Sequence, residues 1–193
     1  MATPVESTLR KTVADLNALK VRSALIGGLA ISVRSAPRFT KDLDFAVAVA
    51  DDPEAEDVVH RLRGRGYQPA EILEQDYVER LSGVRLEQRG SDVVVDLLFA
   101  SSGIEGEVVA SATRLEVLPN LLIPVATTGH LIALKVLAGR NQDLTDLEAL
   151  IPDASAADLD VARSGVRLIQ ARGFSREQDV VADLDKLIAD VRR

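Results

Sequence analysis

Apolar residues recur along this chain in two rhythms, one helical and one alternating. Val5, Leu9, Val13, Leu16 and Leu19 follow three or four apart, which predicts an amphipathic opening helix. Ala24–Ile26 is a short apolar run that ends on Gly27-Gly28, and Leu29–Val33 predicts a further helix, broken at Ser35-Ala36-Pro37. Asp42–Val49 reads as a strand. Asp51-Asp52-Pro53 closes it, with Asp52 as N-cap and Pro53 at the first position of a helix ending near Gly64–Gly66. Val84–Gln88, a turn at Gly90 and Val93–Phe99 predict a hairpin feeding a buried strand, and the runs Leu115–Leu118 and Leu121–Val125 flank Pro119-Asn120. After Thr127 helical spacing takes over, in His130–Ala138, Asp143–Ile151, Ala156–Ala171 and Ser175–Arg192. Residues 1–126 therefore read as an α/β domain and residues 127–193 as a helical region packed on it.

Composition narrows the chemistry. The 193 residues are 47% hydrophobic and 27% charged, which is a globular balance with length enough for a real core. Without cysteine there is no disulfide scaffold, thiolate zinc site or cysteine nucleophile, and two histidines make a His-rich metal site improbable. The opening stretch lacks the apolar core of a secretion signal, and no run approaches the roughly 18 apolar residues of a membrane helix. A cytoplasmic protein without membrane contact is the expectation. The net charge of −7 argues against nonspecific coating of a polyanion.

Candidate chemistry concentrates between Ile26 and Asp96. Asp42 and Asp44, two apart on a strand, project from the same face, and such a like-charge pair is unfavourable unless a cation offsets it. Hard oxygen donors with no His or Cys beside them suit Mg²⁺, or Mn²⁺, bound together with substrate phosphates. Gly27-Gly28 leads into a helix start, where backbone N–H groups and the helix dipole favour phosphate. Cradle and carboxylate pair together suggest a nucleoside triphosphate. Taken singly, each is more often a surface pair or a tight turn. Asp96 adds a third carboxylate inside Val93–Phe99, an apolar strand where a lone acid needs a partner, either a hydrogen-bond network or a metal. If that strand neighbours Asp42–Val49, three carboxylates meet at one point, where two ions can activate an attacking oxygen and stabilise a leaving pyrophosphate in an in-line displacement.

These residues carry a resemblance. Gly27-Gly28, Arg38-Phe39-Thr40-Lys41-Asp42-Leu43-Asp44-Phe45 and Val95-Asp96-Leu97 resemble the three-carboxylate signature of the DNA polymerase β-type nucleotidyltransferases. The Arg-x-Thr-Lys-Asp-x-Asp run, with Leu134-Lys135 and Arg140 to Leu147 further on, is more narrowly similar to the AbiEii/AbiGii nucleotidyltransferase toxins, which include the MenT toxins. The match covers roughly residues 20–150. It implies a mixed sheet flanked by helices, with a C-terminal helical bundle. Asp42 and Asp44 would be metal ligands, and Asp96 the third carboxylate that completes the site or acts as base. Gly27, Gly28, Arg38 and Thr40 would contact the nucleotide. Lys135 would face the phosphates, its alternative being a snorkelling stem on a solvent face. Asp146 matches a position catalytic or structural in relatives, and it could equally anchor Arg140. Thr40 is also a candidate for phosphorylation by a cognate antitoxin, since a phosphate beside Asp42 would repel the triphosphate and compete for metal. Its alternative is an ordinary strand-entrance Thr.

The resemblance implies transfer of a nucleotide from an NTP to RNA, the tRNA 3′ end above all, with release of pyrophosphate. A small-molecule or protein nucleotidyltransferase, or a non-catalytic partner-binding protein of the same fold, stands as the alternative. RNA would have to be met by local basic groups: Arg34, Arg38 and Lys41; Arg61, Arg63 and Arg65; Arg80, Arg85 and Arg89; Arg163, Arg167, Arg172 and Arg176; and Arg192-Arg193. Four Phe and two Tyr are too few for a base-stacking platform. The family often carries a longer helical C-terminal half, and this difference bears on acceptor recognition.

Overall fold

The computed structural model describes residues 3–35, 40–75 and 78–192. Arg38, Phe39, Tyr77, Arg193 and part of the Ser35-Ala36-Pro37 break lie outside the described residues. Among the described residues the chain forms seven strands and eight helices. Helix α1 (Pro4–Ala18) is capped by Thr3, whose side chain accepts from Glu6 N–H while Glu6 reaches back to the Thr3 N–H. β1 (Ser23–Ile26) runs straight into α2 (Gly27–Arg34), and β2 (Leu43–Val47) leads to α3 (Asp52–Arg63). β3 (Tyr67–Gln75), β4 (Arg80–Gln88) and β5 (Val94–Leu98) follow, then α4 (Glu105–Ser111), β6 (Thr113–Leu118) and β7 (Leu121–Val125). Four helices end the chain: α5 (Thr128–Ala138), α6 (Asn141–Leu150), α7 (Ala156–Ala171) and α8 (Val180–Val191).

Four differences from the sequence reading have local causes. The N-cap of α3 is Asp51, which accepts the Glu54 N–H; Asp52 instead pairs with Arg80 and accepts the Leu81 N–H. β3 carries Pro69, Glu71 and Glu74, edge-strand residues that break apolar alternation, so no pattern marked it. Helix α4 has only seven residues, too few for a helical rhythm to show. The helix expected over Ser175–Arg192 starts only at Val180, because Arg176 and Glu177 adopt left-handed backbone, at φ 55° and 63°.

The sheet order is β3-β4-β5-β2-β1-β7-β6. β2 pairs in parallel with β5 and antiparallel with β1, while β1 pairs in parallel with β7, so the sheet is mixed. β2 sits at the centre, and its register places Ile26 beside Asp44 and Asp44 beside Asp96. Leu43 and Phe45 point to the opposite face and are fully buried. Helices α2 and α4 pack on β1 and β2, and α3 packs on β3 and β4. Helix α5 joins the two halves, touching α2, α6, α7 and α8. Its close approach to α7 depends on Gly129, where a Cβ would collide with the Asp158 carbonyl and the Val161 side chain. The buried residues form one continuous core from Leu9 to Leu184.

Candidate active site

One cavity of about 480 Å³ opens where β1, β2 and β5 end against α5. Its walls include Gly27, Gly28, Thr40, Asp42, Asp44, Asp96, Lys135 and Arg140, with Leu131, Leu134 and Leu137 as an apolar side. The topology explains the gathering. Asp42 and Asp44 share a face of the β2 segment, the β2–β5 register brings Asp96 alongside Asp44, and β1 delivers Gly27 next to the same carboxylate. Gly27 adopts φ +65°, and a Cβ there would fall within 2.8 Å of the Asp44 Cβ. Only glycine lets the backbone turn into α2 while touching this side chain. Gly28 is buried in the first turn of α2, as its neighbour's cradle requires.

The carboxylates differ in environment. Asp42 is exposed, just ahead of β2. Asp44 is drawn inward, and burial, then the charge of Asp96, raise its carboxyl from the ordinary 3.8 to about 6; Asp42 adds to this, while Lys135 opposes it. Asp96 is buried and held from the neighbouring strand by Arg85, with Nε and Nη2 at 3.0 and 2.9 Å from its two oxygens. Hydrogen bonding to Asp96 in turn raises the Arg85 pKa. Thr40 lies before β2 rather than on a strand, and its hydroxyl donates to the Asp42 carbonyl at 3.2 Å.

Lys135 is buried and does not snorkel. Its ammonium sits 2.6 Å from Asp143 and 2.8 Å from Asp146, both carboxylates fully or nearly buried. The carboxylate that holds Arg140 is Asp143, through contacts of 2.8 and 3.2 Å from the guanidinium and 3.1 Å from the Arg140 N–H. Burial pushes the Asp143 carboxyl up, but hydrogen bonds from Arg140 and Lys135 outweigh it and hold the group below its usual range. Asp143 falls within the Arg140 to Leu147 run, and its spacing there assigns it no role of its own. Its weight as the buried hub that holds buried Lys135 and exposed Arg140 appears only once α5 and α6 pack. Arg38 lies outside the described residues.

Two tests bear on a divalent cation. The donor chemistry fits: Asp42 and Asp44 offer hard oxygens, and the burial and carboxylate repulsion that raise Asp44 are what a cation would offset. The gathering is incomplete, because Arg85 takes both oxygens of Asp96, and no group of three or more His, Cys, Asp or Glu stands ready to hold a metal among the described residues. Many of the basic residues noted in the sequence are also engaged internally. Arg34 donates to the Ala126 and Val125 carbonyls, Arg61 to the Leu19 carbonyl, Arg65 to Asp15, Arg172 to Glu107 and Arg192 to the Ile151 and Ala154 carbonyls.

The mixed sheet with a Gly-Gly turn facing a D-x-D pair is the arrangement that the resemblance to nucleotidyltransferases implies. More narrowly, the chain belongs to the AbiEii nucleotidyl transferase toxin family of type IV toxin–antitoxin systems, whose model matches residues 12–190. It is thus a nucleotidyltransferase. Among solved structures, it is similar to an antigenic nucleotidyltransferase-like protein from Paracoccidioides brasiliensis, with TM-score 0.52, 17% identity and 92% and 91% of the two chains covered. It is also similar to the lincosamide antibiotic adenylyltransferase LnuA, with TM-score 0.48, 14% identity and 86% and 96% coverage. Among curated proteins none matches the sequence. No helix among the described residues is long and apolar enough to cross a membrane.

Proposed function

We propose that this protein transfers a nucleotide from an NTP to an RNA acceptor, a tRNA 3′ end, as the enzymatic half of a toxin–antitoxin pair. The observation that carries the reading is the register that brings Asp44, Asp96 and Gly27 to one cavity mouth with Asp42 and Lys135. The α/β region, residues 1–126, would hold the nucleotide, and the helical region, residues 127–193, would supply Lys135, Asp143 and Asp146. The acceptor hydroxyl oxygen forms a bond to the α-phosphorus, the bond from that phosphorus to the bridging oxygen breaks, and pyrophosphate leaves. The hydroxyl proton passes to a carboxylate of the trio. Gly27 and Gly28 place the triphosphate against backbone N–H groups at the start of α2. Lys135, held by Asp143 and Asp146, orients toward the phosphates, and rigid placement of this kind supplies most of the rate in phosphoryl chemistry. Asp42 and Asp44, with Asp96 once released from Arg85, would hold Mg²⁺ or Mn²⁺, which when bound neutralises phosphate charge.

The antitoxin would act at Thr40. Thr40 lines the cavity beside Asp42, and a phosphate on it adds roughly −1.5 to −2 charges to a site already crowded with carboxylates. The deciding experiment incubates the protein with each labelled NTP, Mg²⁺ and total tRNA, with parallel arms containing an aminoglycoside or a protein acceptor. Label should appear in tRNA and vanish in Asp42→Ala. Label in the aminoglycoside or protein arm alone would overturn the RNA reading, and no transfer in any arm would overturn the enzymatic one.

A further inference from the structure

Among the described residues, four cationic side chains line the cavity: Arg85, Lys135, Arg140 and Arg176. Three of them are already neutralised. Arg85 is bound by Asp96, Lys135 by Asp143 and Asp146, and Arg140 by Asp143. Arg176 alone among the four makes no ion pair with a described residue, and its one hydrogen bond is a long one, 3.4 Å from Nη2 to the Ser101 carbonyl. It comes from the α7–α8 turn, where a helix was expected from the sequence. Arg176 and Glu177 hold consecutive left-handed conformations, which non-glycine residues adopt only when their surroundings impose them.

The surroundings do impose them. Arg172, one turn earlier, donates to the Gly103 carbonyl and pairs with Glu107 at 2.6 Å. Phe174 is buried against Gly103, where a Cβ would strike its ring. The opposing loop is itself fixed, because the buried Glu105 carboxylate accepts from the Ser101 and Ser102 N–H groups and the Ser102 hydroxyl. The segment just before Arg176 is therefore clamped to the β5–α4 loop and α4, and the clamp presents a guanidinium that makes no ion pair with a described residue to the same cavity as Asp42 and Asp44.

We infer that Arg176 is a phosphate-binding residue, supplied to the cavity by the C-terminal helices through a strained turn. Its ligand is an anionic phosphate oxygen, from the NTP triphosphate or from the acceptor's phosphodiester backbone. A planar guanidinium is suited to two such oxygens at once. The inference deepens the nucleotidyl-transfer reading and rests on it.

The test uses the full chain, with Arg176→Gln, Arg176→Lys and Arg176→Gly. Binding of inorganic tripolyphosphate is followed by calorimetry and binding of total tRNA by fluorescence anisotropy, each without the other ligand. Arg176→Gln should weaken one of the two about tenfold or more, the loss expected for one charge-assisted contact, and Arg176→Lys should restore part of it. Loss of tripolyphosphate binding identifies the triphosphate as the source; loss of tRNA binding alone identifies the acceptor backbone. Arg176→Gly should raise the melting temperature, by relieving the left-handed residue, while losing the same affinity. A structural arginine would give the opposite pair, a lower melting temperature with both affinities intact, and that result overturns the inference. Wild-type protein that binds tripolyphosphate through Arg176 yet transfers nothing would sink the functional reading alone. Wild-type transfer matched by Arg176→Gln, in rate and both affinities, would sink this inference alone.

Discussion

Replacing Gly27 with alanine strikes backbone and site together. The residue sits at φ +65°, and forcing an L side chain into the left-handed region costs roughly 1–2 kcal/mol. The new methyl would lie within 2.8 Å of the Asp44 Cβ and closer still to its carboxyl group. Rotating Asp44 about χ1 moves its carboxyl but not its Cβ, so β1 and β2 must also part slightly, and an off-rotamer side chain adds about 0.5–1.5 kcal/mol. The total is about 2–3 kcal/mol, which lowers the melting temperature of a chain this size by about 4–12 °C. Most of the protein remains folded at 25 °C, so activity can be read separately. Labelled-NTP transfer to tRNA should fall at least a hundredfold, because the displaced carboxylate is the one between Asp42 and Asp96. A melt and a transfer assay on Gly27→Ala decide the matter. If the melting temperature drops while transfer stays within threefold of wild type, Asp44 is not held for chemistry by this glycine. If neither changes, the cradle geometry itself is wrong.

The raised Asp44 carboxyl makes a pH prediction. The folded state takes up this proton more readily than the unfolded chain, so stability falls as pH rises from about 3.8 to about 6, and the penalty, up to about 2–3 kcal/mol, persists at pH 7. Asp44→Asn should therefore melt higher than wild type at pH 7 without added metal, with a flatter profile between pH 4 and 7, while losing transfer; an unchanged profile counts against the burial of that charge. Lys135→Met leaves Asp143 and Asp146 as buried acids without their shared cation, and urea unfolding should show a loss of about 3–5 kcal/mol. A loss under 1 kcal/mol would mean that Arg140 and other neighbours suffice to hold the two acids. Thr40→Glu should depress transfer at least tenfold more than Thr40→Ala does, since only the former adds charge beside Asp42; equal effects would argue against charge-based control at this position.

The elements with a clean rhythm were legible in the sequence. Ala156–Ala171 and Leu121–Val125 form the expected helix and strand, and the strand around Asp44 is bounded closely by its pattern. Gly27-Gly28 stood out as a turn into a helix, Asp42 and Asp44 as a like-charge pair, Asp96 as an acid inside an apolar strand, and Thr40 and Lys135 through the family resemblance, and all of them line one cavity. What the sequence could not convey depends on partners far along the chain. The bidentate hold of Arg85 on Asp96 arises from an antiparallel register. The hub role of Asp143 needs α5 and α6 to pack, and its i,i+3 relation to Arg140 looked no different from that of an exposed pair. The turn that presents Arg176 hides inside an apparently helical stretch, because propensity there is overruled by contacts to the β5–α4 loop.

The register of β2 has a consequence for how this chain can fail. Leu43 and Phe45 fill the core from one face while Asp44 looks into the cavity from the other. Slipping the strand by one residue would exchange the faces, putting carboxylates into hydrocarbon and leaving leucine and phenylalanine wet. The same alternation that arms the site thus edits the folding of the sheet. A mispaired β2 has no comfortable resting place, so the population of compact chains is purged of one whole class of inactive lookalikes. Folded chain and competent chain thereby become nearly the same count.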